Sequence, residues 1–228
     1  MMTENIKIDF LKNIQLFSSL TDEELSRIGT RITIEEFKKN EVVLREEDTS
    51  EYMYIILFGK VKVIQTTEDG KEIILAVHKS DDFFGEVSLI DGKTSPATVQ
   101  TQEDSLIAFI AKKDFYSLLV TQSKVLEKML HIFCSRLRES WERIYMLNAK
   151  NASDRVKLLF LTLSHKNGSA TSDGIVLNLK LTHQEIAEMA GLSRETVTRI
   201  LDKLQKDGEI SILKNKMICM KSTFLQRI

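Results

Sequence analysis

The chain has 228 residues, 43% of them hydrophobic and 29% charged, with a formal net charge of −1. This composition is ordinary for a globular protein and argues against disorder, and no run reaches the roughly 18 apolar residues of a membrane helix. Two cysteines, Cys134 and Cys219, exclude a disulfide scaffold and a single-chain four-thiolate metal site.

The length fits one large domain or two modest ones. Met1 to Phe10 carries Glu4, Lys7 and Asp9 without an apolar run, so no signal peptide is expected and the protein is read as cytoplasmic, without a membrane partner. His78, His131, His165 and His183 form no HxH or HxxxH pair, which argues against a metal site. The small net charge hides an asymmetry. Residues 1–150 hold 20 Lys and Arg against 25 Asp and Glu, whereas residues 151–228 hold 12 against 8. A basic C-terminal third points to an anionic partner there, or to ordinary fluctuation.

In chain order, Ile14 to Ile32 reads as helical, with Thr21 and Glu24 spaced as a capping box. From Glu35 to Ile110 short strands take over: Val42–Leu44, Tyr52–Leu57, Val61–Gln65, Ile73–Val77, Ala97–Val99 and Leu106–Ile110. Glu68-Asp69-Gly70-Lys71 has the chemistry of a hairpin turn. Such spacing predicts an antiparallel sandwich or barrel whose interior holds core side chains or a small ligand. Lys112 to Asn148 contains neither Gly nor Pro and is expected to form one long helix. In it Leu130, Phe133, Leu137, Ser140, Ile144 and Leu147 alternate at three- and four-residue steps, as in a coiled-coil dimer seam. A core-facing amphipathic helix has the same spacing, but the flanks Arg136, Arg138, Glu139, Glu142 and Arg143 suit an exposed seam.

A further helix spans 152–165, followed by a loop from Asn167-Gly168 to Asp173-Gly174. Residues 181–204 then read as a helix-turn-helix. Thr182 and Glu185 form a capping box, Gly191 supplies the left-handed turn, and Ser193 caps the second helix. Ile186, Leu192, Val197, Ile200 and Leu201 are expected to join the two helices. Arg194, Glu195, Thr198, Arg199 and Asp202 then face away, where side chains enter a major groove. Arg offers a fork to guanine and Glu accepts from cytosine N4. Ile210–Leu213 and Met217–Met220, with Lys214 and Lys216 at the tip, read as a wing.

These features together resemble the Crp/Fnr family of bacterial transcription regulators, in the order β-roll, dimer helix, winged helix-turn-helix. The segments that carry the resemblance are QEIAEMAGLSRETVTRIL (184–201), FGEVSLIDGKTSPATV (84–99) and NASDRVKLLFLTLS (151–164). It implies an α+β fold with three parts: a sensing β-roll of the cyclic-nucleotide-binding type at 1–111, a dimerisation helix at 112–150 and a DNA-binding domain at 151–228. It implies a homodimer on double-stranded DNA, with RNA polymerase and a small-molecule effector as further partners. Arg194, Glu195 and Arg199 match the family's base-reading positions. Thr182, Gln184, Ser193 and Thr196 match phosphate-side positions, and His183 stands where the cyclic AMP receptor protein has an arginine.

The effector pocket departs from the pattern. Gly85 and Glu86 match the ribose-binding positions, but Ser95 replaces the arginine that holds the cyclic phosphate and Pro96 replaces a serine. On the dimer helix Ser140 matches a threonine, while Trp141 replaces the serine that reaches the adenine. A buried phosphate without a cation is poorly stabilised, so cyclic AMP is not the expected effector. Residues 1–133 contain no cysteine for an iron–sulfur cluster, whereas His78 or His131 leaves haem open. A cupin-type enzyme would need clustered histidines, yet residues 35–110 hold only His78, so no enzymatic activity is expected. A cyclic-nucleotide module acting on another protein would not carry the helix-turn-helix. The effector is therefore unknown; the alternatives are a cyclic AMP-responsive member and a ligand-independent one controlled by its abundance.

Overall fold

The computed structural model describes the backbone of residues 4–68, 70, 72–213 and 216–225. The chain divides into two compact units, Met1–Cys134 and Ser135–Ile228.

The first unit opens with α1 (Glu4–Asn13), a 3₁₀ turn (Gln15–Phe17) and α2 (Asp22–Gly29). The predicted capping box is formed: Thr21 Oγ1 accepts from the Glu24 N–H, and the Thr21 N–H donates to Glu24 Oε2 at 2.8 Å. The helix expected over Ile14–Ile32 is shorter than its periodicity suggested, because Leu16 and Phe17 are buried from a single 3₁₀ turn and Ile32 begins a strand.

The strands are β1 (Ile32–Phe37), β2 (Val42–Leu44), β3 (Tyr52–Phe58), β4 (Lys60–Thr66), β5 (Glu72–Lys79), β6 (Phe83–Phe84), β7 (Thr98–Thr101) and β8 (Ser105–Ala111). The short helix α3 (Glu86–Asp91) lies between β6 and β7. They form two antiparallel sheets, ordered β1-β8-β3-β6 and β2-β7-β4-β5. Period-2 alternation assigns β3 to two layers. Met53, Ile55 and Leu57 join the apolar cluster of the flanking helices, while Tyr54 and Ile56 join the cluster between the sheets. Burial on both faces explains why β3 reads as an unbroken apolar run. The β4–β5 hairpin closes with Thr66 opposite Glu72, where the turn was expected; Asp69 and Lys71 lie outside the described residues.

The stretch 112–148 is two helices, α4 (Lys112–Thr121) and α5 (Ser123–Leu147), broken where Gln122 takes φ −121° and ψ 83°. The break lets Phe115 on α4 and Val125 and Met129 on α5 bury in one cluster, which a straight rod would touch over only part of its length. Phe133 packs partly buried against this cluster, which removes it from an exposed seam. The large apolar side chains left exposed along the middle of α5 are Leu130 (56%), Leu137 (50%), Trp141 (57%) and Ile144 (57%). Cys134 is exposed between them. The exposed stripe therefore runs 130, 134, 137, 141, 144, and two of the six expected seam positions, 133 and 140, are displaced by one residue. Ser140 returns its hydroxyl to the Arg136 carbonyl at 2.9 Å, and Leu147 is exposed at the end of α5.

The second unit continues with α6 (Ala152–Asn167), β9 (Gly168–Thr171), β10 (Gly174–Leu177), α7 (His183–Ala190), α8 (Arg194–Lys206), β11 (Ile210–Ile212), β12 (Ile218–Met220) and α9 (Ser222–Leu225). The segment read as a loop at 167–174 is instead a hairpin: β9 pairs with β10, which pairs with β12, in the order β11-β12-β10-β9. Its polar, exposed β9 carries no alternating apolar signal, so the strand is fixed by pairing rather than by burial. Val156, Phe160, Ile186, Val197, Leu201, Met220 and Phe224 form one core. A buried Lys157–Glu209 ion pair, 8% and 4% exposed, borders that core with the Lys157 ammonium 5.6 Å from the Phe224 ring centre.

Candidate nucleic-acid interface and sensing pocket

The interface is built by caps. Thr182 Oγ1 accepts from the Glu185 N–H at 3.1 Å, and the Thr182 N–H donates to Glu185 Oε2 at 2.7 Å, which starts α7 at His183. Gly191 ends α7 with φ +63°, a left-handed conformation that side chains with a Cβ rarely adopt. Ser193 Oγ then accepts from the Thr196 N–H at 3.2 Å and starts α8. Ile186, Val197 and Leu201 are buried as expected, and Leu192 and Ile200 are partly buried against them. That packing leaves Arg194, Glu195 and Arg199 exposed on α8.

The other expected contact residues are partly engaged within the motif. Gln184 Nε2 donates to Glu188 Oε1 at 2.8 Å. Thr196 Oγ1 lies 2.9 Å from Ser193 Oγ and accepts weakly from Arg199 at 3.4 Å. Thr198 is not a free outward group: its hydroxyl donates to the Arg194 carbonyl at 3.0 Å and lies 2.8 Å from His183 Nδ1. The Glu195 carboxyl is held below its ordinary range, first by a hydrogen bond from its own backbone N–H, then by Ser193, with smaller help from Arg194 and Arg199. A neutral-pH carboxylate at this point is a pure acceptor.

Two supporting interactions escaped the sequence reading. The Arg155 guanidinium on α6 points to the Ala190 and Gly191 carbonyls at 3.5 Å each, where α7 leaves carbonyls unpaired and its dipole is negative. Lys157 and Glu209 lie 52 positions apart, and no local spacing announces such a pair. In the wing, β11 and β12 pair with Ile212 opposite Ile218. Lys216 is exposed with φ +65°, whereas Lys214 lies outside the described residues.

In the roll, Gly85 has φ +83°, and a Cβ there would stand 2.6 Å from the Tyr54 ring. Glu86 is buried in the first turn of α3. Ser95 is buried and gives its proton to the Ala97 carbonyl at 2.8 Å, so its hydroxyl is not left for a phosphate. Pro96 is exposed, and its carbonyl accepts from Gln65. Lys93, the only cationic residue of 85–99, is exposed. Tyr54 stacks on Phe84 with ring centres 4.9 Å apart and meets Phe109 edge-on at 5.1 Å. Burial pushes the Tyr54 phenol above its ordinary range. Ser140 and Trp141, expected beside this pocket, are both exposed on the part of α5 that belongs to the second unit. His78 and His131 lie 3.8 Å and 3.9 Å from the carboxylates of Asp82 and Glu127.

Comparison with known proteins fits both units. Residues 34–122 match the cyclic nucleotide-binding domain family, and residues 154–227 match the Crp-like helix-turn-helix domain family. The global nitrogen regulator of Nostoc sp. is 32% identical over 198 residues, covering 85% of this chain and 88% of that one. The cAMP-activated global transcriptional regulator CRP of Salmonella typhimurium is 30% identical, covering 84% and 91%. The structure of a CooA mutant from Carboxydothermus hydrogenoformans shares the fold with a TM-score of 0.75 at 22% identity, over 86% of this chain and 88% of that one. No helix among the described residues is long and apolar enough to cross a membrane. With relatives that span nearly its whole length and a helix-turn-helix exposing Arg194, Glu195 and Arg199, the chain belongs to the Crp/Fnr family of DNA-binding transcription regulators.

Proposed function

We propose that the protein is a homodimeric regulator that reads a palindromic operator through paired α8 helices. The observation that carries this reading is the exposure of Arg194, Glu195 and Arg199 immediately after the Ser193 cap. Residues 1–111 act as the sensing roll, 112–150 as the dimerising segment and 151–228 as the DNA-binding domain. Thr182, Gln184, Ser193, Thr196 and His183 serve the phosphate side, and RNA polymerase is the further macromolecular partner, in the cytoplasm. Resemblance to the cyclic AMP receptor protein implies half-sites of a TGTGA-like type, and two-fold symmetry sets half-site centres about 34–36 Å apart. The test is selection from random DNA with wild type and Arg199→Ala. The variant is expected to lose about 1–3 kcal/mol and its preference at one guanine. Identical consensus and information content for both proteins would remove Arg199 from base reading.

We infer further that cyclic AMP is not the effector. Ser95 spends its hydroxyl on Ala97, and residues 85–99 offer only the exposed Lys93 to a phosphate. Calorimetry with cyclic AMP should read no saturable heat; a micromolar dissociation constant would overturn this. The Tyr54–Phe84–Phe109 stack supports a second reading, in which the roll interior is filled by its own aromatics and output follows protein abundance.

A further inference from the structure

The first unit contains a cavity of about 240 Å³ apart from the roll interior, between α2 and α4. Leu20, Ile28, Ile110 and Leu118 form its apolar wall. Ile28 and Ile110 are fully part of the helix-side core, so these walls are fixed by packing. A cavity of roughly 150 Å³ accepts benzene, so this one has room for a ring with one substituent.

The charged lining is already arranged, with one exception. Arg31 is paired with Asp114 at 3.1 Å. The Glu24 carboxylate is occupied by the Thr21 N–H and hydroxyl at 2.8 Å and 3.1 Å. That leaves Arg27, also in the lining and exposed; among the described residues its guanidinium has no ion-pair or hydrogen-bond partner. Ser117 adds a hydroxyl at the same cavity, and the Thr121 hydroxyl already donates to the Ser117 carbonyl at 2.7 Å. An apolar interior with one uncommitted cation at its rim fits a small monoanion with an apolar body.

We propose that this cavity binds a small aromatic or branched monocarboxylate, its body against Ile28, Ile110 and Leu118 and its carboxylate on Arg27. Thr121 and Gln122 also line the cavity and are the residues where α4 gives way to α5. An occupant there would brace the break from which the long helix departs. This assignment does not depend on the DNA-binding reading, because its test needs no DNA.

The test uses benzoate as the probe, with benzamide and benzylamine as controls, titrated into the full-length protein by calorimetry or ligand-observed NMR. Benzoate should bind saturably at millimolar concentration or below, and both controls more weakly. Arg27→Gln, an exposed substitution, should weaken benzoate binding about fivefold or more. Ser117→Phe, also at an exposed position, should block the cavity and abolish binding. Absence of saturable binding overturns the proposal. So does benzoate binding that Arg27→Gln and Ser117→Phe leave unchanged, which would locate the probe elsewhere, the roll included.

Discussion

His183 Nδ1, in the first turn of α7, lies 2.8 Å from Thr198 Oγ1, one turn into α8. The Thr198 hydroxyl proton is directed to the Arg194 carbonyl at 3.0 Å, so its oxygen accepts and His183 Nδ1 carries the hydrogen. That assigns Nδ1 as the donor across the motif. The bond also ties the two helices of the motif at a polar point outside their apolar core.

His183 already spends its Nδ1 hydrogen on Thr198, whereas an arginine there would bring a fixed positive charge and several donors to a phosphate. His183→Arg is therefore expected to tighten binding to every sequence alike and to steepen the salt dependence by about 0.9 units of slope, one extra phosphate contact. Filter binding or fluorescence anisotropy between low and physiological salt measures this. An unchanged slope would show that the residue at 183 faces no phosphate.

Glu195 supplies a pH prediction. Its folded carboxyl is more acidic than the ordinary 4.5, chiefly through its own N–H and Ser193. A depressed folded value means that the stabilisation is present above the unfolded titration and is lost as pH falls through the folded one. Wild type should thus exceed Glu195→Gln in denaturation midpoint by a constant margin at neutral pH, and the margin should close only in acid. Operator affinity should stay flat across the mildly acidic range, because the carboxylate remains an acceptor. A wild-type advantage that grows on acidification would contradict the assignment.

How much of this was legible follows from the range of each interaction. The caps at Thr21, Thr182 and Ser193 and the turn at Gly191 are local chemistry, with partners within three residues, and all appear as read. The strands β2, β3, β4, β5 and β8 follow from short apolar runs and alternation. The α4–α5 break was not legible, because nothing in Val120-Thr121-Gln122-Ser123 forbids a helix; the bend comes from tertiary burial of Phe115, Val125 and Met129. Nor was the β9–β10 hairpin, whose polar edge strand carries no period. Arg155 and the Lys157–Glu209 pair act across long sequence separations. The hydrogen bond from His183 to Thr198 joins two helices across 15 residues of sequence, and helical position alone does not announce it.

The α5 stripe gives the last prediction. Leu130, Cys134, Leu137, Trp141 and Ile144 alternate at four- and three-residue steps and are exposed in the single chain. Exposed apolar side chains in this number on one helix call for a covering partner, and the spacing fits a second copy of the same helix. In a parallel, in-register pair each seam residue meets its own counterpart across the two-fold axis, so two Cys134 thiols come to the same level. Leu137→Glu with Ile144→Glu would bury like charges opposite one another, and sedimentation at micromolar concentration should show monomer. A mild oxidant should convert the wild type to a covalent dimer on a non-reducing gel, and neither Cys134→Ser nor the double glutamate variant should cross-link. A double variant that stays dimeric would move the interface off α5. A dimer dispersed by the glutamates yet never cross-linked would keep the interface on α5 and overturn the parallel register.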